Sequence, residues 1–351
     1  MASVKEVARH AGVSVGTVSN VLNRPGMVAS ATRQRVLDAI EELGFVRNEA
    51  ARHLRSGRSH TIGLVVLDVA NPFFTDVAAG AESMADEMGS TVILCHSAED
   101  PAREARHLAM LEEQRVQGVL LTPVDDANPQ IDQLTAHGIP VILVDRRAGR
   151  RHLCSVAVDD VLGGRLAVEH LLAQGHRSIA FVGGPFTIQQ VADRHGGAEA
   201  ALTDAGHGGR IEVFETRALK VSEGQAAGRR LRDLPVDRRP TAVFCANDLL
   251  ALGMLQEAVQ HDLRVPDDLA IVGYDDIGFA AAAAVPLSSV RQPREQLGRT
   301  AAQLLAEEVE DPEGHRHRQV VYEPDLIVRT SSAARRGAPV GPRDAAATGG
   351  S

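Results

Sequence analysis

Aromatic residues are scarce in this chain: its 351 residues include eight Phe, two Tyr and no Trp. Cysteine is equally sparse. Cys95, Cys154 and Cys245 are odd in number, widely separated and in no CxxC spacing, so no disulfide framework or paired-cysteine metal site is indicated. Cys95 and Cys245 lie in apolar runs, where a buried free thiol is expected, as suits a reducing cytoplasm. No run of about 18 apolar residues could span a bilayer, and the first residues carry no signal-peptide pattern. A soluble cytoplasmic protein with no membrane partner is expected. Neither GxGxxG nor a phosphate-loop pattern occurs, which leaves no nucleotide cofactor signature. The fourteen histidines contain no HExxH, and His315 and His317 fall in a charged stretch, so neither metal nor other cofactor is expected.

Charge is unevenly placed. The chain carries a net charge of −9, yet residues 1–60 hold nine Lys and Arg against five Asp and Glu. An acidic body repels nucleic acid, so any such binding must be local to the basic N-terminal segment.

That segment has a clear local pattern. Ser3 and Glu6 are spaced for a capping box, in which hydroxyl and carboxylate satisfy each other's orphan amides. Val4, Val7, Ala8 and Ala11 follow as a helical apolar stripe. Gly12 permits a turn, Ser14 can cap a second helix, and Val18, Val21 and Leu22 form that helix's buried face. Its outward residues are small or polar: Gly16, Thr17, Ser19, Asn20 and Asn23. A short polar helix on a three-helix core fits a DNA major groove. Gly12-Val13-Ser14-Val15-Gly16 also spells GxSxG, but a nucleophile elbow needs a preceding strand and here a helix precedes.

Beyond residue 60, apolar strand-like runs alternate with helical ones. Four (61–69, 90–97, 118–124, 139–145) are followed by four more (178–184, 211–216, 242–248, 269–276). Strands alternating with helices indicate an α/β fold of parallel sheets covered on both faces, and two series of four suggest two similar lobes. Residues 332–351 are rich in Ala, Gly and Pro without periodicity and read as a disordered tail.

The N-terminal segment, with VLDAIEELGF (36–45) and NEAARHLRSG (48–57), resembles the headpiece of the lactose-repressor (LacI/GalR) family, and the remainder resembles that family's sugar-binding core. The resemblance spans roughly residues 3 to 331. It implies a helix-turn-helix headpiece (1–47), a hinge helix and linker (48–60), and a two-lobed periplasmic-binding-protein-like core (61–331). The N-lobe would comprise about 61–160 and 291–320, and the C-lobe about 161–290 and 321–331. It also implies that Val15, Gly16 and Asn20 face base edges, while Ser14, Thr17, Ser19 and Asn23 suit phosphate contacts. In the hinge, Leu54 matches a residue that wedges into the minor groove across a dimer, with Arg55 beside it.

Open α/β sheets bind ligands at the carboxyl ends of their strands. Asn71, Phe73 and Phe74 follow the first strand, Asp145 and Arg146 the fourth, and Asn247 and Asp275 later ones. Arg194 sits at the start of a helix after Gly184, and Gln292 in a crossover. Asp248 and Asp276 are better explained structurally. Carboxylates, amides and guanidinium groups converging on one cleft suit a ligand with many hydroxyls. Within the family, these nine residues resemble the pattern of ribose-responsive repressors and ribose-binding proteins, which implies a pentose, ribose first. Leu219, where relatives often carry an aromatic, keeps another sugar, a purine or a nucleoside open.

The expected function is that of a sugar-responsive transcriptional repressor, a homodimer on a pseudo-palindromic double-stranded operator. A sugar-processing enzyme using Asp145, Asp275 and Arg146 leaves the first sixty residues unexplained. A sugar receptor outside the cytoplasm would need a signal sequence in place of a headpiece.

Overall fold

The computed structural model describes residues 2–45, 60–125, 128–149, 153–206 and 211–333. The chain divides into two compact units, Met1–Ser59 and His60–Ser351.

In the first unit, helices α1 (Val4–His10), α2 (Val15–Asn23) and α3 (Ser30–Glu42) surround a small aliphatic core. The capping box forms: Glu6 N–H donates to Ser3 Oγ at 3.3 Å, and Ser3 N–H donates to Glu6 Oε2 at 2.7 Å. Gly12 takes φ +65°, a left-handed turn that a side chain would oppose. Val7, Ala8, Ala11, Val18, Val21, Val36 and Ala39 are buried together. His10 and Glu42 pair at 2.7 Å, linking α1 to α3.

The second unit holds two six-stranded sheets. The first contains β1 (Thr61–Val66), β2 (Thr91–His96), β3 (Gly118–Leu121), β4 (Val141–Val144), β5 (Ser155–Val158) and β11 (Gln319–Tyr322), in the order β11-β5-β4-β3-β1-β2 and all parallel. The second contains β6 (Ile179–Gly183), β7 (Glu212–Glu215), β8 (Ala242–Cys245), β9 (Ala270–Asp275), β10 (Ser288–Arg291) and β12 (Asp325–Ile327), in the order β12-β10-β9-β8-β6-β7. Only β12 in that sheet runs antiparallel to its neighbour. Each sheet therefore reverses strand order beside its first strand, the place where such sheets open a ligand crevice.

Helices α4 (Pro72–Glu87), α5 (Pro101–Glu113) and α6 (Pro129–Ala136) connect the first sheet; α7 (Asp160–Ala173), α8 (Gln189–Asp204), α9 (Val221–Arg232), α10 (Asp248–Gln260) and the short α11 (Gly278–Ala282) connect the second. Helix α12 (Arg294–Glu310) returns to the first sheet. The chain thus passes between sheets three times: after β5, after β10 and after β11. Strands β3, β4, β6, β8 and β9 are buried along their whole length, as expected of parallel strands covered on both faces. Cys95, Cys154 and Cys245 are buried free thiols. Among the described residues no helix is long and apolar enough to cross a membrane.

Small residues let the helices approach closely. A Cβ on Gly164 of α7 would lie 1.9 Å from the Arg194 carbonyl oxygen on α8, and one on Gly197 would lie 1.9 Å from that of Val161. The α7–α8 contact is therefore backbone against backbone, which fixes the position of Arg194. Gly196, one residue from Gly197 on the same helix, meets nothing within 4 Å.

These two glycines give opposite expectations. Gly164→Ala must force α7 and α8 apart and should cost about 2–3 kcal/mol in urea denaturation, the upper range for overpacking. Gly196→Ala should be neutral or stabilising by up to about 1 kcal/mol, the propensity difference in an exposed helix. Equal effects would show that the close approach does not govern this interface.

Candidate functional site: nucleic-acid interface and ligand cleft

In the first unit, Val18 and Val21 anchor α2 and leave its other side in solvent. Val15, Gly16, Asn20 and Asn23 are exposed, while Thr17 and Ser19 are half-buried. Ser14 is exposed and caps the helix, accepting from Thr17 N–H at 3.0 Å, and its hydroxyl also pairs with that of Thr17 at 2.9 Å. Asn23 Nδ2 donates to Ser19 Oγ at 3.2 Å. A Cβ on Gly16 would meet nothing nearer than Ser14 Oγ at 3.6 Å, so the helix is narrow there and another surface can come close. Val15 is an exposed apolar side chain next to this gap, suited to a thymine methyl, and Asn20 suits an adenine edge. Leu54 and Arg55 lie outside the described residues.

The cleft of the second unit lies at the carboxyl ends of both sheets. A solvent-connected cavity there is lined by Leu67, Asn71, Phe73, Phe74, Asp145, Arg194, Asn247 and Asp275, among others.

Each element places its side chain for a local reason. Asn71 caps α4 by accepting from Phe73 N–H at 3.0 Å, which starts the helix at the cleft edge with Phe73 and Phe74. The two rings pack edge to face, centroids 4.9 Å apart. Asn247 caps α10, accepting from Leu250 N–H at 2.9 Å, and its Nδ2 donates to the Leu219 carbonyl at 3.2 Å. Asp145 and Asp275 take φ of +56° and +101°, so the chain turns sharply as each strand ends. Left-handed backbone at non-glycine residues gathers at binding sites, where the surrounding structure holds it.

The electrostatics centre on Arg194, which is buried. Its Nε donates to Asp160 Oδ1 at 2.7 Å, an Nη donates to the Ala246 carbonyl at 2.7 Å, and the guanidinium lies 3.7 Å over the Tyr274 ring. Burial is the largest single influence and opposes its charge, but Asp160, Tyr274, Asp275 and Asp145 together outweigh that penalty and keep the guanidinium protonated. Asp145 is pushed up to about 8 by burial and by the neighbouring Asp160, against the pull of Arg194. Its Oδ2 accepts from Gln190 Nε2 at 3.0 Å, whereas its Oδ1 is buried with no hydrogen-bond partner. Asp275 is raised to about 6 by burial, opposed first by Arg194. Gln292 Nε2 donates to its Oδ1 at 2.7 Å, Asn71 Nδ2 reaches its Oδ2 at 3.5 Å, and Arg294 donates to its carbonyl.

Three of the expected residues are placed differently around the cavity. Arg146 does not line this cavity; it borders a neighbouring pocket with Arg147, Asp160 and Asp193, because the turn at Asp145 sends the next residue away. Gln292 stands behind Asp275 and orients it, and is not itself a lining residue. Arg194 lies in the second turn of α8, which begins at Gln189 and not at Arg194. Asp248 and Asp276 are structural: Asp248 accepts from Ser289 and Ile277, and Asp276 pairs with Arg291 and Arg329.

Sequence reasoning missed Gln190, Glu99, Asp68 and Ile188 in the lining. Gln190 is buried and donates to both the side chain and the carbonyl of Asp145, yet nothing local distinguishes it from Gln189. Glu99 has φ +59° just past β2, a strand-end position that could have drawn notice.

Comparison with known proteins adds to this geometry. Residues 3–48 match the family model for bacterial regulatory proteins of the lacI family, and residues 168–332 match that for the periplasmic binding protein-like domain. The repressor PurR of Aliivibrio fischeri is 33% identical over 333 residues, 94% of this chain and 98% of its own. A regulator CelR–cellobiose complex is 33% identical over 94% of this chain and all of its own, with a TM-score of 0.69. The lac repressor dimer bound to operator and the anti-inducer ONPF has a TM-score of 0.82 at 27% identity, covering 95% of this chain and 99% of its own. A regulator from Enterococcus faecium with bound ribose has a TM-score of 0.72 at 29% identity, covering 78% of this chain and 98% of its own.

The buried carboxyls set a pH dependence. An Asp whose folded pKa is raised binds its proton more tightly when folded, so its stabilising contribution is complete below about pH 4 and disappears as pH rises through the folded value. Without ligand, the urea midpoint should therefore fall between about pH 4 and 8, and Asp145→Asn should flatten that fall, most visibly above pH 6. An identical slope in the variant would remove Asp145 as its source.

Proposed function

Because the chain belongs to the LacI family of bacterial regulatory proteins, we propose that this DNA-binding transcriptional repressor is controlled by a small sugar held between its two lobes. The orphaned Oδ1 of Asp145 carries this reading. A buried carboxyl oxygen without a hydrogen-bond partner costs free energy that a ligand hydroxyl would recover, whether the oxygen accepts or, protonated, donates. Asp275, Asn247 and Arg194 supply the further acceptors and donors that a ring with several hydroxyls needs, while Phe73, Phe74 and Leu219 offer apolar cover. A pentose is preferred, ribose first. A nucleoside, a purine or another sugar, acting as inducer or corepressor, is the second reading, since Leu219 lines the cleft where an aromatic would cover a pentose.

On DNA, Val15, Gly16 and Asn20 read base edges, while Ser14, Thr17, Ser19 and Asn23 set register on phosphates. Two copies in a two-fold dimer read the two halves of a pseudo-palindromic operator in the cytoplasm. Leu54 wedges into the minor groove with Arg55 beside it. The sugar acts as inducer, and it shifts operator occupancy only by its differential affinity for the two lobe arrangements.

Two variants separate the functions. Asp275→Ala should weaken ribose binding in calorimetry by at least about tenfold, the loss of one charge-assisted hydrogen bond, with operator affinity unchanged. Leu54→Ala should do the reverse, lowering operator affinity at fixed salt and leaving ribose binding intact. Normal ribose binding in the first would remove Asp275 from the site, and normal operator binding in the second would remove the wedge.

A further inference from the structure

Away from the cleft, the fold gathers four metal-ligating side chains that the repressor function does not use. Cys154 enters β5, Glu308 lies in the last turn of α12, and His315 and His317 lead into β11. Their ligand atoms all lie within 4.8 Å of one another. Cys154 Sγ is 3.2 Å from His315 Nε2 and 3.9 Å from His317 Nδ1, and Glu308 Oε2 is 3.7 Å and 3.8 Å from the same two nitrogens. Bond lengths of about 2.3 Å to sulfur and 2.0–2.1 Å to nitrogen and oxygen give tetrahedral edges of about 3.4–3.6 Å. The observed spacings bracket that value.

The chemistry agrees with the geometry. Glu308 Oε2 is buried and has no hydrogen-bond partner, and its distances to both imidazoles exceed hydrogen-bond reach. Cys154 is fully buried and accepts the Arg318 backbone N–H at 3.2 Å, a contact that supports a thiolate. His317 keeps a third of its side chain exposed, which leaves an entry path.

We propose that Cys154, Glu308, His315 and His317 form a closed tetrahedral site for a divalent transition ion of the zinc class. One thiolate, two imidazoles and a carboxylate suit Zn²⁺ over Mg²⁺ or Ca²⁺, which prefer all-oxygen shells. Four protein ligands leave no open position, so the ion is structural and not catalytic. Its placement gives it a task. Cys154 opens the strand that runs into the first crossover, Glu308 ends the helix arriving from the second, and His317 precedes the strand leading to the third. One ion at the amino edge of this sheet ties together all three segments on which the lobes turn. The sequence hides this site, because Cys154 and His315 are 161 positions apart.

The test uses the full-length chain, dialysed against a chelator and titrated with Co²⁺ alone. Expected are one equivalent bound, intense tetrahedral d–d bands and a thiolate-to-cobalt charge-transfer band, all bleached by Zn²⁺. Cys154→Ser should lose the charge-transfer band. His317→Ala removes a partly exposed side chain, so it should fold normally and bind Co²⁺ at least about tenfold more weakly, since even outer-shell losses cost 10–100-fold. Zn²⁺ should raise the melting temperature of the parent protein but not of His317→Ala. Absence of stoichiometric binding would overturn the proposal, as would a spectrum and affinity unchanged in His317→Ala, which would assign the metal to other histidines.

Discussion

The cleft depends on one buried cation. Arg194 neutralises Asp160, lies against Tyr274, holds the Ala246 carbonyl and opposes the upward shift of both Asp145 and Asp275. Without it the carboxylates at the strand ends would face one another with no compensating charge, and breaking a buried pair costs far more than forming it yields. Its position is set by backbone: α8 touches α7 at Gly164 and Gly197, so the guanidinium cannot drift. A polar cleft is thereby kept rigid but underfilled, with one oxygen of the Asp145 carboxyl still without a hydrogen-bond partner.

That state has a consequence for regulation. Lining groups come from both sheets, Asn71 and Asp145 from the first and Arg194, Asn247 and Asp275 from the second. A ligand bonded to both sets favours whichever lobe arrangement brings them within reach. The effector's free energy enters through a handful of hydrogen bonds, and a coupling of typically about 1–3 kcal/mol changes operator affinity about five- to 150-fold. The headpiece is a separate compact unit with its own aliphatic core, so its reading surface does not draw on the cleft for its fold.

Much of this was legible in sequence, for reasons that can be named. The capping box and Ser14 are local signals with fixed spacing, and the structure forms both. Asp145, Asn247 and Asp275 could be placed because they end apolar runs, and parallel strands deliver their carboxyl ends to one crevice. The short strands were not legible: β5 has four residues, β12 three, and β10, β11 and β12 owe their existence to pairing across the sheet. Gln190 was invisible because its role arises from a partner 45 positions away. Asp145 and Arg146 read alike as adjacent polar residues at a strand end, and only the left-handed turn at Asp145 separates them, with Arg146 on a neighbouring pocket.

The most direct test of a ligand-controlled repressor is fluorescence anisotropy with DNA from the gene's own upstream region, at physiological salt with excess nonspecific competitor. The account predicts tight, saturable binding that ribose, or one member of a pentose and nucleoside panel, reverses at low concentration. Specific binding that no member of the panel changes, or that ribose strengthens, would contradict it.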